Sequence, residues 1–433
     1  MKKWLALPRK LKTFFKKRSK GSAMAFSITI ALMNFFIILA VLLKVSYKSH
    51  ELDMYKVSLQ LSEMVRSASM IMEESPDLFV EGNNIHDFFK NELPEYGLEV
   101  NMTRWGFYYV AQVRASFKNL NHEKVFLYSD DILSLKNAPS LYLSARKTYL
   151  SLSGNSYLGP NCFLPEYGVR SANFGGKSYT RSEYIHGNSF RARDELPEIN
   201  QDIKRLATQL KIVNNLSDSL IDVNLLNSKF IFINSFKNKT LICYSNKSIV
   251  LDNLIFKGNI KIISDKSILI KNTSKLSNII VVAPIINIEA GFSGNAQFFA
   301  TDRIDCGEKC NFQVPTVFVL DNKKESDQIS IGDDTYFYGD IMILNNIKRK
   351  TAAIRINRGS KMIGQLYCNG YLTFEATLFG SLYTRGILKN TPSGLRLNVL
   401  EDVCVDISRM PVEYGGTSLI EANCNKKLCD VLF

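Results

Sequence analysis

Acidic and basic residues lie close together at two places in the sequence, Asp302-Arg303-x-Asp305 and Asp333-Asp334. Carboxylates on neighbouring strands, or a carboxylate beside Arg or Lys, are what glycan hydrolysis or β-elimination requires. Adjacent residues of a strand point to opposite faces, however, and Asp333-Asp334 sits in turn-like sequence. Both groups read first as solvated charge. His50, His86, His122 and His186 are scattered and have no triad or metal spacing. No glycine-rich phosphate loop, zinc-protease motif or nucleophile elbow occurs. The chain is therefore read as non-enzymatic, with no cofactor and no metal. A polysaccharide lyase or hydrolase is the alternative.

All eight cysteines lie after residue 160: Cys162, Cys243, Cys306, Cys310, Cys368, Cys404, Cys424 and Cys429. Cys306/Cys310 and Cys424/Cys429 are near enough in sequence to pair as disulfides in an oxidising compartment. Neither spacing matches a zinc site.

The elements that carry these residues begin with a charge asymmetry. The chain has 433 residues and a formal charge of +13. Nine Lys or Arg and no acid fall within residues 1–22; without them 45 basic residues face 41 acidic ones. The excess is a leader rather than a nucleic-acid-binding face, so no nucleic-acid partner is expected. Ala23 to Leu43 is apolar except for Ser27, Thr29 and Asn34. That is long enough to cross a hydrocarbon core of about 30 Å. Basic residues before the span place the N-terminus in the cytoplasm and the body outside it. Asn34 in mid-span is costly in lipid unless paired, which points to a helix–helix contact. The expected partners are the inner membrane and envelope assembly subunits; glycan binding is left open.

The domain plan follows from these patterns. Residues 1–22 form a basic leader, 23–47 a transmembrane helix and 48–76 an amphipathic helix with Leu52, Tyr55, Leu59, Met64, Ala68 and Ile71 on one side. Residues 77–150 read as a small α/β region, with one strand over Asn101–Ala115 and a partner at Lys124–Tyr128. Residues 151–229 are Gly/Asn-rich strands, followed by a linking helix from Pro197 through Ile199, Ile203, Leu206, Leu210 and Val213. A C-terminal tail covers 389–433.

Residues 230–388 carry repeats. Phe256-x-Gly258-x-Ile260-x-Ile262 returns as Phe337-x-Gly339-x-Ile341-x-Ile343, as Met362-x-Gly364-x-Leu366-x-Cys368 and as Leu378-x-Gly380-x-Leu382-x-Thr384. A second series runs Ser267–Ile270, Ile285–Ile288, Arg303–Cys306. A short alternating strand that recurs with Gly at its corner cannot bury its apolar face alone; stacking copies builds a continuous core. The fold class is thus mainly β with α: one N-terminal transmembrane helix, a small α/β region and a C-terminal parallel β-helix.

The stretch Lys16-Lys17-Arg18-Ser19-Lys20-Gly21-Ser22-Ala23-Met24-Ala25-Phe26 resembles the N-termini of type IV pilin-like proteins. That resemblance implies cleavage between Gly21 and Ser22 by a prepilin peptidase. Ser22 and Phe26 stand where major pilins carry Phe and Glu, which is closer to minor pseudopilins. The repeat region looks like the β-helices of bactofilins, the polymer-forming class, or of adhesins. Together these features are similar to Gram-negative envelope proteins with a pilin-like anchor. They imply a minor pilin-like subunit of a pilus or secretion assembly, or else an anchored adhesin or scaffold.

Overall fold

The computed structural model describes residues 22–75, 85–86, 95–135, 138–210, 219–222, 230–347, 350–391, 394–420 and 425–432. Helix α1 spans Ser22–Glu74, 53 residues. Its sequence holds no Gly or Pro, and Pro76 disfavours helical geometry at the residue before it, so the helix ends there. At 1.5 Å per residue it is about 80 Å long. Side chains from Ala23 to Lys56 are exposed. Ser27 Oγ donates to the Met24 carbonyl at 3.0 Å and Thr29 Oγ1 to the Ala25 carbonyl at 2.7 Å, so both hydroxyls are satisfied inside the helix.

The buried stripe of α1 is Leu61, Met64, Val65, Ala68 and Met72, a three- to four-residue spacing that puts all five on one face. The stripe inferred from sequence began too early. Leu52, Tyr55 and Leu59 are exposed, whereas Met64 and Ala68 are buried. Apolar side chains on an extended helix cannot be assigned to a protein or a lipid neighbour by periodicity alone.

That stripe packs on an antiparallel sheet built from Tyr96–Trp105, Tyr108–Phe117 and Leu120–Asp130, with Ile85–His86 on one edge and Lys426–Leu432 on the other. The single strand expected over Asn101–Ala115 is two strands, turned at Gly106 with φ 62°. The sheet alternates with a period of two. Val100, Met102, Ala111, Val113, Phe126 and Tyr128 face α1. Tyr108, Val110, Val125 and Leu127 face the rest of the molecule. The aromatic cluster Trp105, Phe107, Tyr108 and Tyr109 is therefore core. The region 389–433 is no simple tail, because its last strand joins this sheet.

Most of the remaining strands form a closed parallel body, which carries the antiparallel hairpin Thr377–Thr391/Gly394–Leu397; two three-stranded parallel sheets, Ile231–Asn234/Ile255–Gly258/Lys275–Ser277 and Val399–Glu401/Leu150–Ser153/Val169–Ser171, are separate from it in hydrogen bonding. Side chains line up through it in one column: Cys243, Ile262, Val281, Phe298, Phe318, Ile341, Leu366 and Leu382. All are buried in the same core. Each large aliphatic or aromatic side chain removed from water in this way stabilises by about 1.5–3 kcal/mol. The repeats pair in register: Phe337 with Met362, Met362 with Leu378, Gly364 with Gly380, and Ile268 with Ile286 with Ile304. The step is as short as sixteen residues (Leu366 to Leu382) and as long as twenty-five (Ile341 to Leu366).

The column does not stop at Leu382. Leu382 pairs in parallel with Leu141, and next to that pair Tyr142 lies beside Phe163 and Phe163 beside Phe190. Residues 141–191, placed outside the stacked strands by sequence, therefore extend the stack past residue 382. Their strands are two to four residues long, too short to show a repeat. Helix α2 is Gln201–Gln209, capped by Asn200, whose Oδ1 accepts from the Asp202 N–H at 3.0 Å. Ile199, Ile203 and Leu210 bury against the outside of the parallel body. The predicted helix was longer; Val213 lies outside the described residues, and Ser219–Asp222 is a strand parallel to Leu241–Ser245.

Candidate functional site

α1 is the one described helix long and apolar enough to cross a membrane. Phe26, Leu32, Met33, Phe35, Phe36, Ile37 and Leu42 are all more than half exposed. Asn34 lies among them, exposed, and its amide makes no hydrogen bond within its own helix. Gly21 lies outside the described residues; Ser22 is the first residue of α1.

Two buried clusters tie the sheet to the parallel body. Gln297, from the strand Ala296–Cys306, accepts from the Phe107 N–H at 2.6 Å and donates to the Trp105 carbonyl at 2.9 Å, gripping the hairpin at Gly106. Asp340, from Tyr336–Ile343, accepts from the Tyr414 hydroxyl at 2.5 Å, the Thr417 N–H at 2.6 Å and the Gln365 N–H at 2.9 Å. Burial pushes the Asp340 carboxyl above its usual range, against the pull of these three donors.

The acids singled out in the sequence do not converge. Asp302 accepts from the Thr301 hydroxyl at 2.7 Å, and Asp305 Oδ2 lies 2.8 Å from Arg303 Nε. Across neighbouring strands Asp305 faces Asn287 on one side and Ser330 on the other, so no second carboxylate stands beside it. Asp334 occupies a turn with φ 53°. Among the described residues no three His, Cys, Asp or Glu side chains are grouped to hold a metal ion. His50 is exposed on α1, while His186 stacks on Tyr157.

Cys306 and Cys310 are brought together as free, buried thiols, one of the two states their spacing left open. Cys306 Sγ donates to the Gly307 carbonyl at 3.4 Å and Cys310 Sγ to the Glu289 carbonyl at 3.3 Å. The contact with Cys310, then burial, push the Cys306 thiol well above its ordinary value. Cys429 is a free, partly buried thiol whose pKa is raised by burial to about 11. Cys424, its expected partner, lies outside the described residues.

One charge cluster escaped sequence reading. Lys389 Nζ is 2.8 Å from Glu375 Oε1 and 3.1 Å from Glu401 Oε2, with only a tenth of its side chain exposed. Lys177 continues the series, 3.9 Å from Glu401 and 2.5 Å from Asp402. Burial opposes the charge on Lys389, yet the two carboxylates outweigh it and hold the ammonium form. A lysine locked in this way is no general base at neutral pH. The cluster ties together segments far apart in sequence beside an open cleft of about 780 Å³ that Arg170, Phe174 and Arg396 also line. Lys389 meets Glu375 and Glu401 within a single stretch of 27 residues, whereas Lys177 joins them only through the stacking of 141–191 on the strands after residue 361.

Comparison of the chain with family models, with curated proteins and with solved structures finds no match.

Proposed function

We propose that this chain is a non-enzymatic structural subunit of the bacterial cell envelope, anchored in the inner membrane by α1 and built into a pilin-like pilus or secretion assembly. Its leader stays in the cytoplasm and its body is exported. The observation that carries this is the division of α1. From Ala23 to Leu43 every side chain is exposed and all but Ser27, Thr29 and Asn34 are apolar, and the C-terminal part packs one stripe on an antiparallel sheet. A free apolar rod of this length needs lipid or other helices around it, because water penalises the exposed area at roughly 25 cal/mol per Å².

The topology supports the same assignment. The helix and sheet form a self-contained module, and the chain between Asp130 and Lys426 is inserted into it. In this view the inserted body is a parallel β-helix. Its support is the column from Cys243 to Leu382 and the pairing of like residues such as Gly364 with Gly380. A rigid body of this kind presents a fixed surface, and lateral contacts of α1 in the membrane provide assembly. Asn34 fits that role, since an unpaired amide in lipid gains about 0.6–2 kcal/mol from a neighbouring helix.

Single-cysteine variants at successive positions from Met33 to Val41, crosslinked in native membranes, test the assignment. Crosslinked copies are expected at Asn34 and at positions one turn away, with weak products on the opposite face. Absence of crosslinks at every position contradicts lateral packing. N-terminal sequencing of the same protein reads leader removal directly: a chain that starts at Ser22 supports the pilin-like assignment, and retention of residues 1–21 removes processing from it.

A further inference from the structure

Tyr157 opens a two-residue strand that pairs in parallel with Cys404–Val405. The His186 ring stacks on it at 4.3 Å with 10° between the planes. The guanidinium carbons of Arg181 and Arg409 lie 5.1 Å and 5.2 Å from the centre of the same tyrosine ring. Two guanidinium groups gathered on one ring repel each other unless negative charge lies between or beside them.

One nearby carboxylate already pairs with Arg409, and the other is held by Lys177. Asp406 Oδ2 is 3.1 Å from Arg409 Nε and Asp406 Oδ1 caps the Ser408 N–H at 3.0 Å. Asp402 holds Lys177 Nζ at 2.5 Å and accepts from the Asn155 N–H at 2.9 Å. Among the described residues Arg181 makes no ion pair with a carboxylate, and its Nε is buried without a hydrogen bond. A buried donor of this kind is costly when left unmet. Charge accounting gives the sign. Lys177, Arg181 and Arg409 face Asp402 and Asp406, while Glu375 and Glu401 are balanced by Lys389 and Arg358. One positive charge is left over among the groups that wall the cleft and their partners; Glu183, two residues from Arg181, is exposed, 3.5 Å from His186 Nδ1 and no part of the cleft wall. The space in front of these groups is an open cleft of about 350 Å³, walled by Asn155, Tyr157, Arg181, Cys404, Arg409 and the Lys177-paired Asp402, with Thr377 and Val403 beside them.

We propose that this cleft binds a singly charged oxyanion, a carboxylate or a sulfate ester carried on a small polar molecule such as an acidic sugar, between Arg181 and Arg409. Planar guanidinium forks suit the paired oxygens of either group. Asn155 and Thr377 add polar groups for neighbouring hydroxyls. The residual single charge favours a monoanion over a doubly charged phosphate. The site stands apart from α1 and does not depend on assembly.

The test uses the full-length chain in detergent at constant ionic strength. Thermal unfolding is followed with galacturonate, methyl sulfate and inorganic phosphate, with glucose and chloride as controls. Galacturonate or methyl sulfate is expected to raise the midpoint in a saturable way, and which of the two does so identifies the oxyanion. Arg181→Gln is expected to weaken that binding more than tenfold, whereas Arg170→Gln, in the separate cleft near Lys389, leaves it within twofold. No saturable shift with either monoanion, or an equal shift in Arg181→Gln, overturns the proposal. Stronger binding of phosphate than of both monoanions overturns the charge assignment. If Arg181→Gln does not fold, alkylation of Cys404 in the unmodified chain decides. The bound anion is expected to slow it several-fold, and an unchanged rate overturns the site.

Discussion

Lys426 Nζ lies 2.5 Å from Asp130 Oδ1, although 296 residues separate the two in sequence. The pair closes the antiparallel sheet around everything inserted between them. Lys426 also sits 3.8 Å above the Tyr109 ring, and the Ser418 N–H donates to Asp130 Oδ2 at 2.9 Å. Both side chains are nearly buried, so removal of one leaves the other charge uncompensated.

Asp130→Ala is therefore expected to destabilise the protein by about 3–5 kcal/mol, the usual consequence of stranding one member of a buried ion pair. Asp130→Ala combined with Lys426→Met is expected to recover part of that loss. Denaturant unfolding of the two variants, read as a double-mutant cycle, measures the coupling. A single substitution that costs under about 0.5 kcal/mol contradicts the closing role.

Gly364 and Gly380 pair directly across neighbouring strands. Gly364 has φ 138°, a region where L side chains are strained. A Cβ there would run into the Gly339 carbonyl oxygen and crowd the Tyr414 hydroxyl, and a Cβ at Gly380 would run into the Gly364 carbonyl oxygen. Gly364→Ala is expected to cost about 2 kcal/mol or more. A chemical-denaturation midpoint equal to that of the unmodified chain contradicts the packing described.

Asp340 gives a pH dependence whose sign is set by its raised pKa. The folded protein holds the proton more tightly than the unfolded chain, whose aspartates titrate near about 3.9. The contribution from this group is complete below that value and is lost as pH rises through the folded pKa. Relative to Asp340→Asn, which cannot titrate, the unmodified protein is expected to lose stability as pH climbs above about 4. Unfolding measured for both proteins at a series of pH values checks this. A constant difference between them contradicts the assignment.

What could be read from sequence follows the range of the contacts. The register of Phe337, Met362 and Leu378, and of Ser267–Ile270, Ile285–Ile288 and Arg303–Cys306, is visible because like residues stack on like residues at short, similar steps. The Phe256 copy fits less simply: Phe256 pairs with Phe232 and Leu276 in a separate three-stranded sheet, while Ile262 joins the main column. The stacking of Leu141 on Leu382 and the return of Lys426–Leu432 to Leu120–Asp130 were hidden, because their partners are hundreds of residues away and carry no shared motif. The same distance hid Lys177 with Asp402 and Tyr157 with Arg409. The long apolar helix α1 was legible because it is specified by its own run of residues.

The account rests most directly on α1 as a membrane anchor with the body outside the cytoplasm. Protease added to intact spheroplasts, followed by mass-spectrometric detection of the Ser22–Lys44 segment in the membrane pellet, measures this in one step. The expected result is digestion of the body and survival of a short membrane-embedded fragment that retains the apolar half of α1. A body that resists protease until the inner membrane is broken, or a chain recovered from the soluble fraction, contradicts the account.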